Sequence, residues 1–228
     1  MALLRSLRDP DAKQKLARFG ITTEKAFGIP APVLRRIARD IGTNHRLALG
    51  LWDTGVADAR ILATIIADPE QFSLLVMNRW ARESDSWAVC DACCYGIFHR
   101  TSFAVDRVLA WSGRKEEFVK RGAFALIAAL AVHDKQMPDR TFVRFLGLVK
   151  READDERNFV RKAINWALRQ IGKRNTELHR SAMETARILK TRTSASARWI
   201  GADALRELGS PAVKRRLAKR EKRRGVAS

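Results

Sequence analysis

Phe159-Val160-Arg161-Lys162-Ala163-Ile164-Asn165-Trp166-Ala167-Leu168-Arg169 reads as a helix with two unlike sides. Its apolar residues recur at intervals of three and four, which gathers them into one stripe. Arg161, Lys162 and Arg169 give the remainder a strongly basic face around Trp166. The same form returns elsewhere: an apolar or small residue, a basic one, a basic or aromatic one, then an Ala-rich apolar run. It recurs around Arg60, Arg121 and Trp199.

Working outward, the chain is helix after helix, with no sustained period-2 alternation bounded by hairpin turns. Helices are expected over Asp11 to Phe19, from Pro32 to Arg39 after the break at Gly28-Ile29-Pro30, and over Ala57 to Ala67. Others follow at Phe72 to Arg82, after the capping serines Ser84 and Ser86, and at Phe103 to Trp111. The set closes with 118–130, Phe142 to Lys150, 159–169, Met183 to Leu189 and Ala197 to Leu208. Related helical segments recurring every ~30–45 residues are the mark of a HEAT-like or armadillo-type repeat. The expected fold is therefore all-α: a superhelical solenoid with a concave basic face, forming one domain over 1–212. Residues 213–228 are expected to be a flexible basic tail, since 214–224 carry eight basic residues and one acid.

The 228 residues include 44 Lys+Arg against 25 Asp+Glu, a formal net charge of +19. Such an excess points to a polyanion, either nucleic acid or an acidic membrane face. No apolar run approaches the ~20 residues that span a bilayer. The opening Met1 to Pro10 lacks a signal peptide's long apolar core and cleavage site, so a cytoplasmic, nucleoid-associated protein is expected. Cys90, Cys93 and Cys94 lie too close together to staple distant segments, and four-ligand zinc needs more than one CxxC pair. They read as small buried residues on a helix. The scattered histidines show no metal-binding or paired spacing, and no phosphate-binding glycine loop or serine nucleophile motif is present. Neither a metal nor a cofactor is expected.

The chemistry is concentrated in Ser84-Asp85-Ser86-Trp87-Ala88-Val89-Cys90-Asp91. Trp87 and Asp91 are four residues apart, so on a helix they share one face. A carboxylate facing a polyanion weakens binding, which makes Asp91 a candidate for work on a developing positive charge. Trp87 and Trp166 stand out from the other tryptophans because polar and charged residues surround them. Arg121 precedes an apolar run; it is either a buried ion-pair partner or a ligand for a backbone phosphate. These four residues are expected to share the concave basic surface.

In this order the segments resemble the AlkD-like alkylpurine DNA glycosylases, from about Leu16 to Leu208. The resemblance rests on Gly28-Ile29-Pro30 leading to Leu34-Arg35, on Ser86-Trp87 with Asp91, on Arg121 before an Ala-rich helix, and on Lys162 to Arg169. It implies excision of cationic N3- or N7-alkylated purines from double-stranded DNA by a monomer, through the sugar and backbone without base flipping. By position it assigns Trp87 and Trp166 to the deoxyribose, Asp91 to the anomeric carbon and Arg121 to a flanking phosphate. Phe19 stands where family members often have tyrosine, so one phosphate contact loses its hydroxyl. Arg35, Arg161, Lys162, Arg169 and Arg198 complete the expected DNA contacts. Two other functions fit parts of the sequence: a non-catalytic HEAT-like binder of distorted or branched DNA, and a protein-binding helical scaffold.

Overall fold

The computed structural model describes residues 1–9, 11 and 25–225, and every regular element among them is helical. The expected helix over Asp11 to Phe19, with Phe19 itself, lies outside the described residues apart from Asp11. The elements are α1 (Ala2–Ser6), α2 (Ala31–Ile41), α3 (His45–Asp53), α4 (Ala57–Ile66), α5 (Leu74–Glu83) and α6 (Trp87–Gly96). After a 3-10 turn at Phe98–Arg100 come α7 (Ala104–Trp111), α8 (Glu117–His133), α9 (Asp139–Glu152) and α10 (Asn158–Gly172). The last three are α11 (Thr176–Lys190), α12 (Ala195–Leu208) and α13 (Pro211–Gly225).

One domain is expected over 1–212, but the contacts gather into two compact units that divide inside α7, between Asp106 and Arg107. In a repeat fold each element touches only its neighbours, so compact blocks form locally. Within the first unit, α4 packs against α3 and against both α2 and α6. Within the second, α10 packs between α8 and α12, and α11 packs against α9, α10 and α12. Alternate helices thus stack on one another, as repeated helix pairs require.

The polar bonds keep the same step. Arg121 to Phe159, Asn165 to Asp203, Arg169 to Glu207 and Arg192 to Asp154 each join residues 38 positions apart. In the first unit the step is shorter: Trp52 donates to Glu83 and the Phe27 amide to Asp58, each across 31 positions. Asp58, buried at the start of α4, also accepts from the Ile29 amide at 2.8 Å. That clasp, with Gly28 at a positive φ of 80°, fixes the Gly28-Ile29-Pro30 break.

Helix α8 is buried from Val119 to Ala131, and apolar residues cover it all round, as befits the centre of the unit. The two charged residues of that buried stretch have partners. Lys120 lies 2.7 Å from Glu152 and 2.9 Å from Asp155, and Arg121 donates to the Phe159 carbonyl at 2.6 Å. In the first unit, Gly96 allows α6 to approach α4, since a Cβ there would lie 2.7 Å from the Thr64 carbonyl oxygen.

Two stretches depart from expectation. His45–Asp53 is a helix, capped by the Asn44 side chain on the Leu47 amide, where no helix is expected from the sequence. Pro211–Gly225 form α13 where a flexible tail is expected over 213–228. Val213 and Leu217, four apart, are buried, while Arg220 donates to the Lys173 and Arg174 carbonyls. Two apolar residues on one face suffice to dock a helix whose composition is otherwise almost all charge. No described helix is long and apolar enough to cross a membrane.

Candidate functional site

The first set of site residues stands on α6, and its N-terminus is firmly held. Ser86, 1% exposed, caps the helix by accepting from the Val89 amide, and Ser84 donates to the Trp80 carbonyl at 2.9 Å. Arg60 reaches across from α4. Its guanidinium donates to the Glu83 carbonyl at 2.8 Å, lies 3.9 Å from the Asp85 carboxylate and covers the Trp52 ring at 4.8 Å. Trp52 in turn stacks on Trp80 with 4.1 Å between ring centroids. The loop that delivers Trp87 therefore rests on a packed aromatic pair rather than on solvent.

From that start, Trp87, Asp91 and Tyr95 follow one another at successive four-residue steps, and all three are half-buried. Tyr95 is a member of the row that sequence reasoning missed, although the spacing joining Trp87 to Asp91 reaches it one turn later. Burial raises its phenol above the ordinary tyrosine range, and the charge of Asp91 adds to the effect. The phenol is therefore still further from ionising at neutral pH than an ordinary tyrosine. Val89, Cys90, Cys93 and Cys94 make up the buried side of the helix. Burial pushes the Cys93 and Cys94 thiols well above their usual range, so they are packing groups and not nucleophiles.

The second set belongs to the second unit. Arg121 is buried, 6% exposed, with its guanidinium on the Phe159 carbonyl at the start of α10. Trp166 is half-buried, one turn beyond the exposed Lys162. Arg169 forms a close pair with Glu207 and lies 3.5 Å from Asp203, joining α10 to α12. Asn165 donates to the same Asp203 at 2.7 Å, and Lys173 adds a second close contact to Glu207. Burial alone would raise the Glu207 carboxyl, but Lys173 and Arg169 outweigh it and hold the group below its ordinary range. Arg161 lies over the Trp199 ring at 5.3 Å. Arg198 is exposed and donates to the Arg192 and Thr193 carbonyls, and in the first unit Arg35 is exposed on α2.

The structure thus brings Trp87 and Asp91 together with Tyr95 in one unit. In the other, Arg121, Arg161, Lys162, Trp166 and Arg169 share the α8–α10 stack. Arg121 and Arg169 are anchored within the fold, while Lys162, Arg198 and Arg35 present free charge to solvent. Among the described residues no cluster of three or more His, Cys, Asp or Glu side chains is placed to hold a metal ion.

Comparison with known proteins bears on this arrangement. No curated protein matches the sequence. A solved structure described as "A new family of proteins related to the HEAT-like repeat DNA glycosylases with affinity for branched DNA structures" superposes with a TM-score of 0.74. It is 22% identical, and the match covers 91% of this chain and 93% of that one, a likeness of fold. The sequence model of the DNA alkylation repair enzymes matches residues 1–208. The chain belongs to the DNA alkylation repair enzyme family.

Proposed function

We propose that this protein is a DNA glycosylase that removes cationic N3- or N7-alkylated purines from duplex DNA and leaves an abasic site. The observation that supports this reading is the row on α6: a half-buried carboxylate, Asp91, one turn beyond the indole of Trp87. In a chain of net charge +19, a carboxylate in that position suits a transition state in which positive charge passes from the base onto the sugar.

The chemistry is simple to balance. Alkylation leaves the purine ring positively charged, so when the C1′–N bond breaks the bonding pair passes to the ring and the base departs neutral. No strong general acid is needed. The deficit falls on the sugar as oxocarbenium character, which the Asp91 carboxylate stabilises electrostatically. Water then adds at C1′, oriented by the same carboxylate, and gives up its proton to that carboxylate, which passes it on to solvent. The Trp87 ring face attracts the positive C–H edges of the sugar, an interaction worth ~0.5–2 kcal/mol. Lys162, Arg198 and Arg35 are the groups we assign to the phosphates, and Trp166 lies one turn beyond Lys162. Arg121 and Arg169 act mainly by holding α10 in place.

A second reading has an observation of its own. The structural neighbour is described as having affinity for branched DNA, and a protein of this fold could bind DNA by shape without breaking a bond. Incubation with methylated duplex and chromatography of the supernatant separates the two. Release of 7-methylguanine or 3-methyladenine above the spontaneous rate supports the glycosylase. Tight DNA binding without released base leaves the shape reader.

A further inference from the structure

Trp199 is not accounted for by either set of site residues. Trp52 and Trp80 are fully buried, but Trp199, on the second turn of α12, is 38% exposed. Core packing does not require a large aromatic there. Its one described ring contact is the Arg161 guanidinium from α10.

The charge around it is one-sided. Arg161, Lys162 and Arg198 make no ion pair among the described residues; Arg161 bonds weakly to Asn158, and Arg198 to backbone carbonyls. The acids nearby are already engaged. Asp154 faces Arg192 at 3.4 Å, and Glu156 accepts from the Ser194 hydroxyl and the Ser196 amide at 3.2 Å. Asp203, one turn beyond Trp199, is taken by Asn165, Arg169 and Arg206. An accessible indole therefore lies under a guanidinium that has no ion pair among the described residues, with Arg198 beside it in sequence and Lys162 beside Arg161, the combination that binds single-stranded nucleic acid by stacking bases and drawing in phosphates.

We propose that Trp199 and Arg161 form a stacking platform for an unpaired base, so that this face prefers DNA with a single-stranded arm or branch over continuous duplex. The bases of a closed duplex already stack on one another and offer the indole no free face. A base at a fork lies down on Trp199, and its flanking phosphates meet Lys162 and Arg198. This rests on the DNA-binding part of the proposed function and not on base release.

The test compares two DNAs with equal numbers of phosphates: a fork with unpaired arms and a closed duplex, base-paired throughout to blunt ends. The full chain is titrated with each, alongside Trp199→Ala and Trp199→Phe. We expect Trp199→Ala to lose about 10-fold or more in affinity for the fork, in keeping with one lost base stack. Closed-duplex binding should stay within about 2-fold, and Trp199→Phe should keep most of the fork affinity. Equal losses on both DNAs, or a fall in melting temperature that accounts for them, would make the Arg161–Trp199 contact a clasp between helices and overturn the platform. No loss on the fork would overturn it as well. If wild type binds neither DNA, the DNA-binding reading fails and the platform falls with it.

Discussion

One turn beyond Asp91, Tyr95 continues the row that begins at Trp87, and it offers a direct view of that row. It is the chain's one tyrosine, so tyrosinate absorbance reports it alone. Burial first, and the Asp91 charge second, raise its ionisation, so its midpoint should lie above the ordinary value near ~10. Asp91→Asn should lower that midpoint while burial keeps it above the ordinary value; an unchanged midpoint would mean that the two groups do not sense each other. The four-residue step makes Trp87 and Asp91 neighbours on any helix, and it reaches Tyr95 by the same rule. Arg121 is different. Sequence leaves it balanced between a phosphate and an internal partner, because the carbonyl it meets belongs to Phe159, a residue 38 positions away. Arg169 reads as part of a basic face for the same reason: Asp203 and Glu207, which hold it, come from the next helix of the stack.

Among the elements, the α8–α9–α10 corner depends most on charge. Lys120, 9% exposed on its side chain, joins Glu152 at the end of α9 to Asp155 in the following loop. Burial on its own would raise both carboxyls. Hydrogen bonds from Lys120 and Arg151 to Glu152, and from Arg157 and Lys120 to Asp155, outweigh it and hold both below their ordinary ranges. The unfolded chain therefore takes up protons first as pH falls. The stabilisation is complete above the ordinary carboxyl range and is lost progressively below about pH 4–5. Lys120→Met should cost about 1–3 kcal/mol at neutral pH, since Arg151 and Arg157 still cover the two acids. Thermal melts from about pH 7 to about pH 3 should fall less steeply in the mutant; parallel curves would remove Lys120 from the network. Periodicity reveals most of these helices, because an apolar stripe is a local property. It passes over α3, and its expectation of a flexible tail misses α13, where Val213 and Leu217 are the apolar anchors buried, among the described residues, within a run of bases.

For the molecule as a whole, the net charge of +19 and the family match over residues 1–208 concern the same partner. A protein engaging ~6–10 phosphates should lose about three to five orders of magnitude in affinity between 50 and 200 mM salt. Binding that barely changes with salt would point instead to a protein-binding scaffold. The repeat itself is legible because the stacked helices carry related segments, and the 38-residue step of the polar bonds follows the period those segments suggest. Which arginines remain free for phosphate is not legible, because that depends on acids contributed by the neighbouring repeat.

Whether the Asp91 carboxylate stabilises charge on the sugar is read by comparing wild type with Asp91→Asn for release of 7-methylguanine and 3-methyladenine from methylated duplex, with DNA affinity measured in parallel. The amide nearly preserves shape and removes the charge. We expect release by wild type, a loss of roughly 10- to 100-fold in the mutant, and affinity that is kept or slightly raised. Release by the mutant at the wild-type rate would contradict that role of the carboxylate.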